Sequence, residues 1–335
     1  MDSTGTLEND FVAFKDGKYV LQHETLSTTA QPGHILVKMA YSTVDPYDAL
    51  CFNLYKTEGT RIGVEGSGTV ISVGEGADAT LLGRKIAFMG NGAWARFAHL
   101  NVASTFIMAL HDSQDLAKAT AACVNPLTAI AQLDIIQAKG SKSYVADAAA
   151  SSLNKMLLSL AKGAGIECIA TVRKENQAQH LKEAFGVKHV LIQDSPTFDE
   201  DLKAAVEELN PLVFFDVIGG AYPMRVFKAL PNGAKLVIVA NLTHTDIPLD
   251  TSHLLFSGKT IEPLLVFAWM GAATQEKRDW AFKQVSDDLG LNGGKVFGTN
   301  FAQTVDLAEW ETAVKDYNEV ASKQLGKFLV RCNSE

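Results

Sequence analysis

Two carboxylates and a phenol, Asp45, Asp48 and Tyr55, lie close together in this 335-residue sequence. A phenol, with a pKa of about 10, can polarise a carbonyl by hydrogen bonding and give a proton to a developing enolate. Read from the residues alone, Tyr55 is equally a loop aromatic packed over a cleft mouth. Asp45 and Asp48 fit local capping and turning of the loop better than acid–base work as a pair. A second stretch joins an apolar run to a helical one through Asp147-Ala148-Ala149-Ala150-Ser151-Ser152-Leu153-Asn154, and a third group is the adjacent cations Arg173-Lys174. The four cysteines (Cys51, Cys123, Cys168, Cys332) are widely scattered, with no Cys-x-x-Cys pair and no histidine at metal-ligand spacing. They read as reduced and non-ligating, and none of the eight histidines stands in a motif with a serine or cysteine nucleophile. No metal site is expected.

Apolar periodicity supplies the elements that must position these groups. Strands are predicted at His34 to Ala40, Gly68 to Val73 and Lys85 to Met89, in a region punctuated by glycine. From residue 120 onward strands and helices alternate: Ser143 to Ala146, helix Leu153 to Lys162, Glu167 to Val172, helix Gln177 to Phe185, His189 to Ile192, helix Glu200 to Leu209, Leu212 to Val217, helix Pro223 to Leu230 and Ala234 to Val239. Helices at Gln275 to Leu289 and Ala308 to Ala321 and a strand at Lys327 to Arg331 complete the tail. The fold class expected is α/β, a Rossmann-type doubly wound parallel sheet inserted into a β-rich substrate domain. The boundaries expected are 1–124 with 266–335 for the β-rich domain and 125–265 for the cofactor-binding domain.

Composition narrows the function classes. A net charge of -8 opposes nucleic acid and anionic membrane surfaces as partners. The 47% hydrophobic and 20% charged content argues against extensive disorder. The start of the sequence is acidic and has neither the apolar run of a signal peptide nor the Arg-rich pattern of a transit peptide, so the cytoplasm is expected. No apolar stretch reaches the ~18 to 20 residues that a spanning helix needs.

In a doubly wound sheet, a dinucleotide pyrophosphate lies over the N-terminus of the helix that follows the first strand. Here that place is held by Ser151-Ser152-Leu153-Asn154, without the glycines that usually let the backbone come close. Ser152 can still admit a phosphate and donate its hydroxyl, whereas Asn154 puts bulk where the helix packs on the sheet and Asp147 brings a charge that opposes a pyrophosphate. The loop is therefore a modified cradle or one that no longer binds a dinucleotide. Arg173-Lys174 follow the second strand, where an acid would hold the ribose 2′-hydroxyl of NAD; two cations there favour the 2′-phosphate of NADPH, or else form a solvated surface.

Several segments, taken together and in order, resemble the zinc-free quinone oxidoreductases and 2-enoyl thioester reductases of the medium-chain dehydrogenase/reductase superfamily. They are Gly63-Val64-Glu65-Gly66-Ser67-Gly68-Thr69-Val70, Asn91-Gly92-Ala93-Trp94-Ala95, Val124-Asn125-Pro126-Leu127-Thr128-Ala129 and Asp216-Val217-Ile218-Gly219-Gly220. The likeness covers nearly the whole chain and implies that the β-rich domain is GroES-like. Zinc-dependent members of the superfamily carry histidine where this sequence has Val64. The resemblance implies a proton-donor role for Tyr55. It also implies nicotinamide or ribose contacts from Asn125 and Thr128, a nicotinamide border formed by Val239, Ala240, Asn241, Phe267 and Trp269, and a cofactor-phosphate contact from Lys327. For these residues the plainer readings remain: a turn at the start of a helix, core aromatics, an exposed charge. The activity implied is NADPH-dependent, zinc-independent hydride transfer to a quinone or an α,β-unsaturated carbonyl, as a homodimer joined through the Rossmann domains. The alternatives are a 2-enoyl thioester reductase and a catalytically weak relative with a binding or scaffolding role.

Overall fold

The structure, a computed structural model, describes residues 5–322 and 326–333. The chain divides into two compact units, residues 1–126 with 274–335 and residues 127–273. It opens with an antiparallel hairpin of β1 (Thr6–Lys15) and β2 (Lys18–Ser27), turned at Asp16 and Gly17 with φ of 50° and 85°. Asp-Gly accepts the two positive φ angles that a two-residue turn needs to match strand twist. There follow β3 (His34–Thr43), α1 (Pro46–Leu54), β4 (Glu65–Val73), β5 (Lys85–Met89), β6 (Phe97–Asn101), β7 (Phe106–Ala109) and the single turn α2 (Leu116–Ala119). Then α3 (Val124–Ala138) carries the chain into the second unit.

The second unit contains β8 (Ser143–Ala146), α4 (Ser152–Gly163), β9 (Glu167–Val172), α5 (Glu175–His180), β10 (His189–Ile192), α6 (Phe198–Leu209) and β11 (Val213–Asp216). It continues with α7 (Tyr222–Ala229), β12 (Lys235–Ile238), α8 (Thr251–Ser257), β13 (Thr260–Pro263) and α9 (Val266–Ala272). Its six strands run parallel in the order β10-β9-β8-β11-β12-β13. This is the Rossmann order, in which the winding direction reverses between the first and fourth strands, here β8 and β11. Burial on both faces explains why these strands read as unbroken apolar runs. Val145, Ile169, Phe214 and Leu236 form one core with Leu202 of α6 and Phe227 of α7. The expected doubly wound sheet is present.

Back in the first unit come α10 (Gln275–Leu291), β14 (Phe301–Asp306), α11 (Trp310–Ser322) and β15 (Lys327–Arg331). Its main sheet runs β14-β15-β3-β4-β5-β7, with β6 also paired to β3. Ile35, Val37, Met39, Ile86 and Phe88 are fully buried in one cluster, and Val12, Trp94, Phe328 and Val330 anchor another. Several elements differ from expectation. The β1–β2 hairpin, β6, β7, β13 and β14 are additional strands, and α1, α8 and α9 are additional helices. The helix expected at Gln177 to Phe185 starts two residues earlier, because the Gln177 side chain accepts the Arg173 and Lys174 N–H groups, both at 3.1 Å. It ends in a wider π turn over Leu181–Phe185, closed by Gly186 at φ 72°. Among the described residues no helix is long and apolar enough to cross a membrane.

Candidate active site

Pro46 suits the first turn of α1, where its missing N–H would have had no helical partner. Asp48 caps the same turn: one carboxylate oxygen accepts from Asp45 N–H at 2.8 Å and the other from Val64 N–H at 3.0 Å. Asp45 is the N-cap residue of α1, its carbonyl accepting from Asp48 N–H at 3.0 Å. Its carboxylate pairs with Lys327 Nζ, which also reaches Glu65 Oε1 at 3.3 Å. Glu65 Oε2 accepts from the N–H groups of Cys123 and Val124 at 3.1 and 2.8 Å, which fixes the start of α3. Asp45, Asp48 and Glu65 are fully buried and Lys327 is 8% exposed.

Burial, and after it the Asp45 carboxylate, pushes Glu65 up to about 8 against the pull of Lys327 and the Val124 N–H. Burial and then Asp45 push Asp48 well up too. Lys327, expected at a cofactor phosphate or on the surface, is buried and pairs with Asp45 and Glu65. Buried carboxylates require such a partner.

Tyr55 terminates α1, its N–H reaching Cys51 O at 2.9 Å. Tyr19 O–H donates to the Tyr55 carbonyl at 2.6 Å, and the Tyr19 ring meets Phe52 edge-on at 4.9 Å. This ties the end of α1 to the β1–β2 hairpin. Tyr55 itself is 44% exposed, and its hydroxyl lies 3.4 Å from that of Tyr47. Asn125 is half-buried in the first turn of α3.

In the second unit the parallel strands bring most of the expected cofactor residues to one edge of the sheet, the edge at their C-terminal ends. Ser151 to Asn154 follow β8, Arg173 and Lys174 follow β9, Val239 to Asn241 follow β12, and Phe267 and Trp269 follow β13. Thr128 is buried in α3. Arg173 and Lys174 are exposed, with their backbone pinned by Gln177. Asn241 folds its side chain over the β11–α7 turn, so close that a Cβ at Gly219 would fall 2.2 Å from Asn241 Oδ1. Phe267 and Trp269 are half-buried.

The β8–α4 loop shows what replaces its glycines. Ala148 takes the left-handed conformation at φ 40°, which costs an L-residue roughly 1–2 kcal/mol. Ser151 is the N-cap of α4, its hydroxyl accepting from Asn154 N–H at 3.3 Å. Asn154 is buried and its amide donates to the carbonyls of Asp147 at 2.7 Å and Ala148 at 3.4 Å. The bulk expected to keep helix and sheet apart is used to staple the loop.

The Asp147 carboxyl is fully buried and accepts from Val217 N–H at 2.9 Å, while Asp216 accepts from Ile218 and Gly219 N–H at 2.9 and 3.0 Å. Burial, and then the Asp216 carboxylate opposite, push Asp147 well up. A carboxyl pushed up in this way brings less charge to the sheet edge than its residue type suggests.

All four cysteines are buried and unpaired, and burial pushes Cys51, Cys168 and Cys332 up to about 12. None is a thiolate nucleophile. Among the described residues no group of three His, Cys, Asp or Glu could hold a metal ion. Sequence reasoning missed Tyr47 and the acid partners of Lys327 and Asp147. The Tyr47 signal was present, since an aromatic eight residues before Tyr55 sits on the same short helix. The acid pairings join residues far apart in the chain and have no local signature.

Comparison with known proteins adds a family to this geometry. The family described as zinc-binding dehydrogenase matches residues 153–287. The mitochondrial enoyl-[acyl-carrier-protein] reductase of Saccharomyces cerevisiae is 24% identical over 214 residues, which are 59% of this chain and 56% of that protein. A highly reducing polyketide synthase of Alternaria alternata is 25% identical over 160 residues, 47% of this chain but 6% of its own length. The chain thus spans well under two thirds of these relatives. Among solved structures, a Mesorhizobium loti protein described as an NADPH:quinone reductase is 27% identical, with a TM-score of 0.80 over 99% of this chain and 100% of that one. The Etr1p complex with NADP and crotonyl-CoA shares the fold at 17% identity, with a TM-score of 0.77 over 97% and 100%.

Proposed function

We propose that this chain, which belongs to the medium-chain dehydrogenase/reductase superfamily, is an NADPH-dependent, zinc-independent reductase of quinones or α,β-unsaturated carbonyls. The observation that carries this reading is the pair of exposed cations, Arg173 and Lys174, pinned by Gln177 directly after β9. That position contacts the ribose 2′-substituent in a doubly wound sheet, and two cations suit a phosphate there. The stapled β8–α4 loop and the N-terminus of α4 fit a pyrophosphate, whose charge the helix dipole favours.

A bound nicotinamide dinucleotide would supply the hydride. Val239, Ala240, Asn241, Phe267 and Trp269 would border its nicotinamide, and Asn125 and Thr128 its ribose side. Tyr55 would polarise the substrate carbonyl and give its phenolic proton to the enolate left by hydride addition. Zinc independence is supported by Val64 at the place of the metal-binding histidine, its N–H tied to Asp48.

Titration with NADPH and then NADH, at one ionic strength, tests this. Tight NADPH binding that weakens on Arg173→Ala with Lys174→Ala is expected; binding of neither cofactor would overturn the reading and leave a binding or scaffolding role. A 2-enoyl thioester reductase is the second reading, favoured by the exposed Tyr55 phenol, because reduction of an enoyl thioester calls for a proton donor more than quinone reduction does. Comparing rates on crotonyl-CoA and on a benzoquinone separates the two.

The proposal includes a cytoplasmic homodimer. Leu255 and Phe256, 77% and 85% exposed on α8 just before the edge strand β13, support self-association through the second unit. Light scattering on Phe256→Asp should report a smaller species.

A further inference from the structure

We infer that Tyr47 is a positioning residue for the proton-transfer step, donating its hydroxyl hydrogen to the oxygen of Tyr55 and stabilising the phenolate that Tyr55 becomes once its proton has left. The inference rests on the reading of Tyr55 as the proton donor.

The two tyrosines bracket α1, Tyr47 in its first turn and Tyr55 at its C-cap, and their hydroxyl oxygens are 3.4 Å apart. Their surroundings differ. Tyr55 is 44% exposed. Tyr47 is half-buried and packs against the cluster that contains Trp94, Trp310 and Phe328. Burial, and then the hydrogen bond with Tyr55, push the Tyr47 phenol far above its usual range, so that it keeps its proton throughout the working pH range. Cys51, one helical turn after Tyr47, is raised to about 12 by burial and interacts with the Tyr47 hydroxyl.

The direction proposed is Tyr47 O–H to Tyr55 oxygen, and Tyr55 O–H to the substrate. The backbone of Tyr55 is held independently by Tyr19, whose O–H donates to the Tyr55 carbonyl at 2.6 Å. The phenol therefore has one anchor on its main chain and one on its oxygen.

In the step itself, the Tyr55 O–H bond breaks and a C–H bond forms at the α-carbon of the substrate enolate. The electron pair stays on the Tyr55 oxygen, which regains a proton from solvent after product leaves. A hydrogen bond to a charged acceptor is shorter and stronger than one between neutral groups. A separation of 3.4 Å is long for a neutral hydroxyl pair, and contacts of this kind tighten when charge develops.

The test uses the full chain with NADPH and crotonyl-CoA. Tyr47→Phe should lower kcat about tenfold with KM within about twofold, and should move the alkaline limb of the kcat profile up by about one pH unit, the loss of one charge-assisted hydrogen bond. An independent readout needs no turnover: the phenolate absorbance lost in Tyr55→Phe gives the Tyr55 titration, and Tyr47→Phe should shift that titration upward by the same unit. A Tyr55 titration and kcat profile both unchanged by Tyr47→Phe, with activity lost in Tyr55→Phe, would overturn the role of Tyr47 alone. Full activity in Tyr55→Phe would overturn the donor reading and this inference with it.

Discussion

Each unit buries carboxylates, and the two do so by different means. In the first, Asp45, Asp48 and Glu65 are gathered with Lys327 and three backbone segments that donate N–H groups. In the second, Asp147 and Asp216 come from the ends of adjacent strands, held by the N–H groups of Val217, Ile218 and Gly219, and burial pushes Asp147 well up. An ion pair fixes geometry as long as its cation stays. A buried carboxyl held up like Asp147 favours the fold only while its proton stays, so its contribution depends on pH.

The sharpest way to break the contrast is Lys327→Met. It leaves buried carboxylates without their cation, and a loss of about 3–5 kcal/mol in urea unfolding at pH 7 is expected. A loss under about 1 kcal/mol would mean that the acids are neutral and the cluster behaves like the other unit.

Asp147→Asn should act in the opposite direction. Because the folded-state value of Asp147 is raised, the folded protein keeps a proton that the unfolded chain releases above 3.8. The stability from this group is complete below that pH and is lost as pH rises through the raised value. An amide keeps a donor toward Asp216 and does not titrate, so the variant should gain about 1–2 kcal/mol at pH 8 and lose less on the alkaline side. Glu65 carries the same sign between 4.5 and about 8, so a sloping wild-type curve alone would not separate the two units. The difference curve between wild type and Asp147→Asn does.

The smallest effect belongs to the loop after β8. Ala148→Gly relieves the left-handed strain at φ 40° and should stabilise the protein by about 0.5–1 kcal/mol by thermal unfolding. A destabilisation would show that Asn154 and Ser151 hold the loop against a glycine's added freedom.

The Rossmann half was legible because parallel strands covered on both faces leave apolar runs that need no partner to be recognised, as Glu167 to Val172 and Val213 to Asp216 show. Strand β14 was not, since along its six residues only Val305 is buried. The β1–β2 hairpin carried its own signal in Asp16-Gly17, but its second strand alternates exposed and half-buried positions and offers little contrast. In the candidate site, Arg173 and Lys174 could be placed by position along the chain alone. Lys327 could not, because its partners Asp45 and Glu65 lie 282 and 262 residues away and meet it only through the β15–β3–β4 pairing. Asp147 was read as a charge facing an anion for the same reason: only the register of β8 against β11 brings it to Asp216.

The four buried cysteines make the protein its own reporter of opening. A thiol-alkylating reagent can reach them only when the surrounding structure opens, so the labelling rate under native conditions gives a local opening free energy. Three of them, Cys51, Cys123 and Cys332, belong to the first unit and Cys168 alone to the second. Mass spectrometry that follows Cys168 separately from the other three would therefore read how often the nucleotide-type sheet loosens while the rest of the chain stays folded.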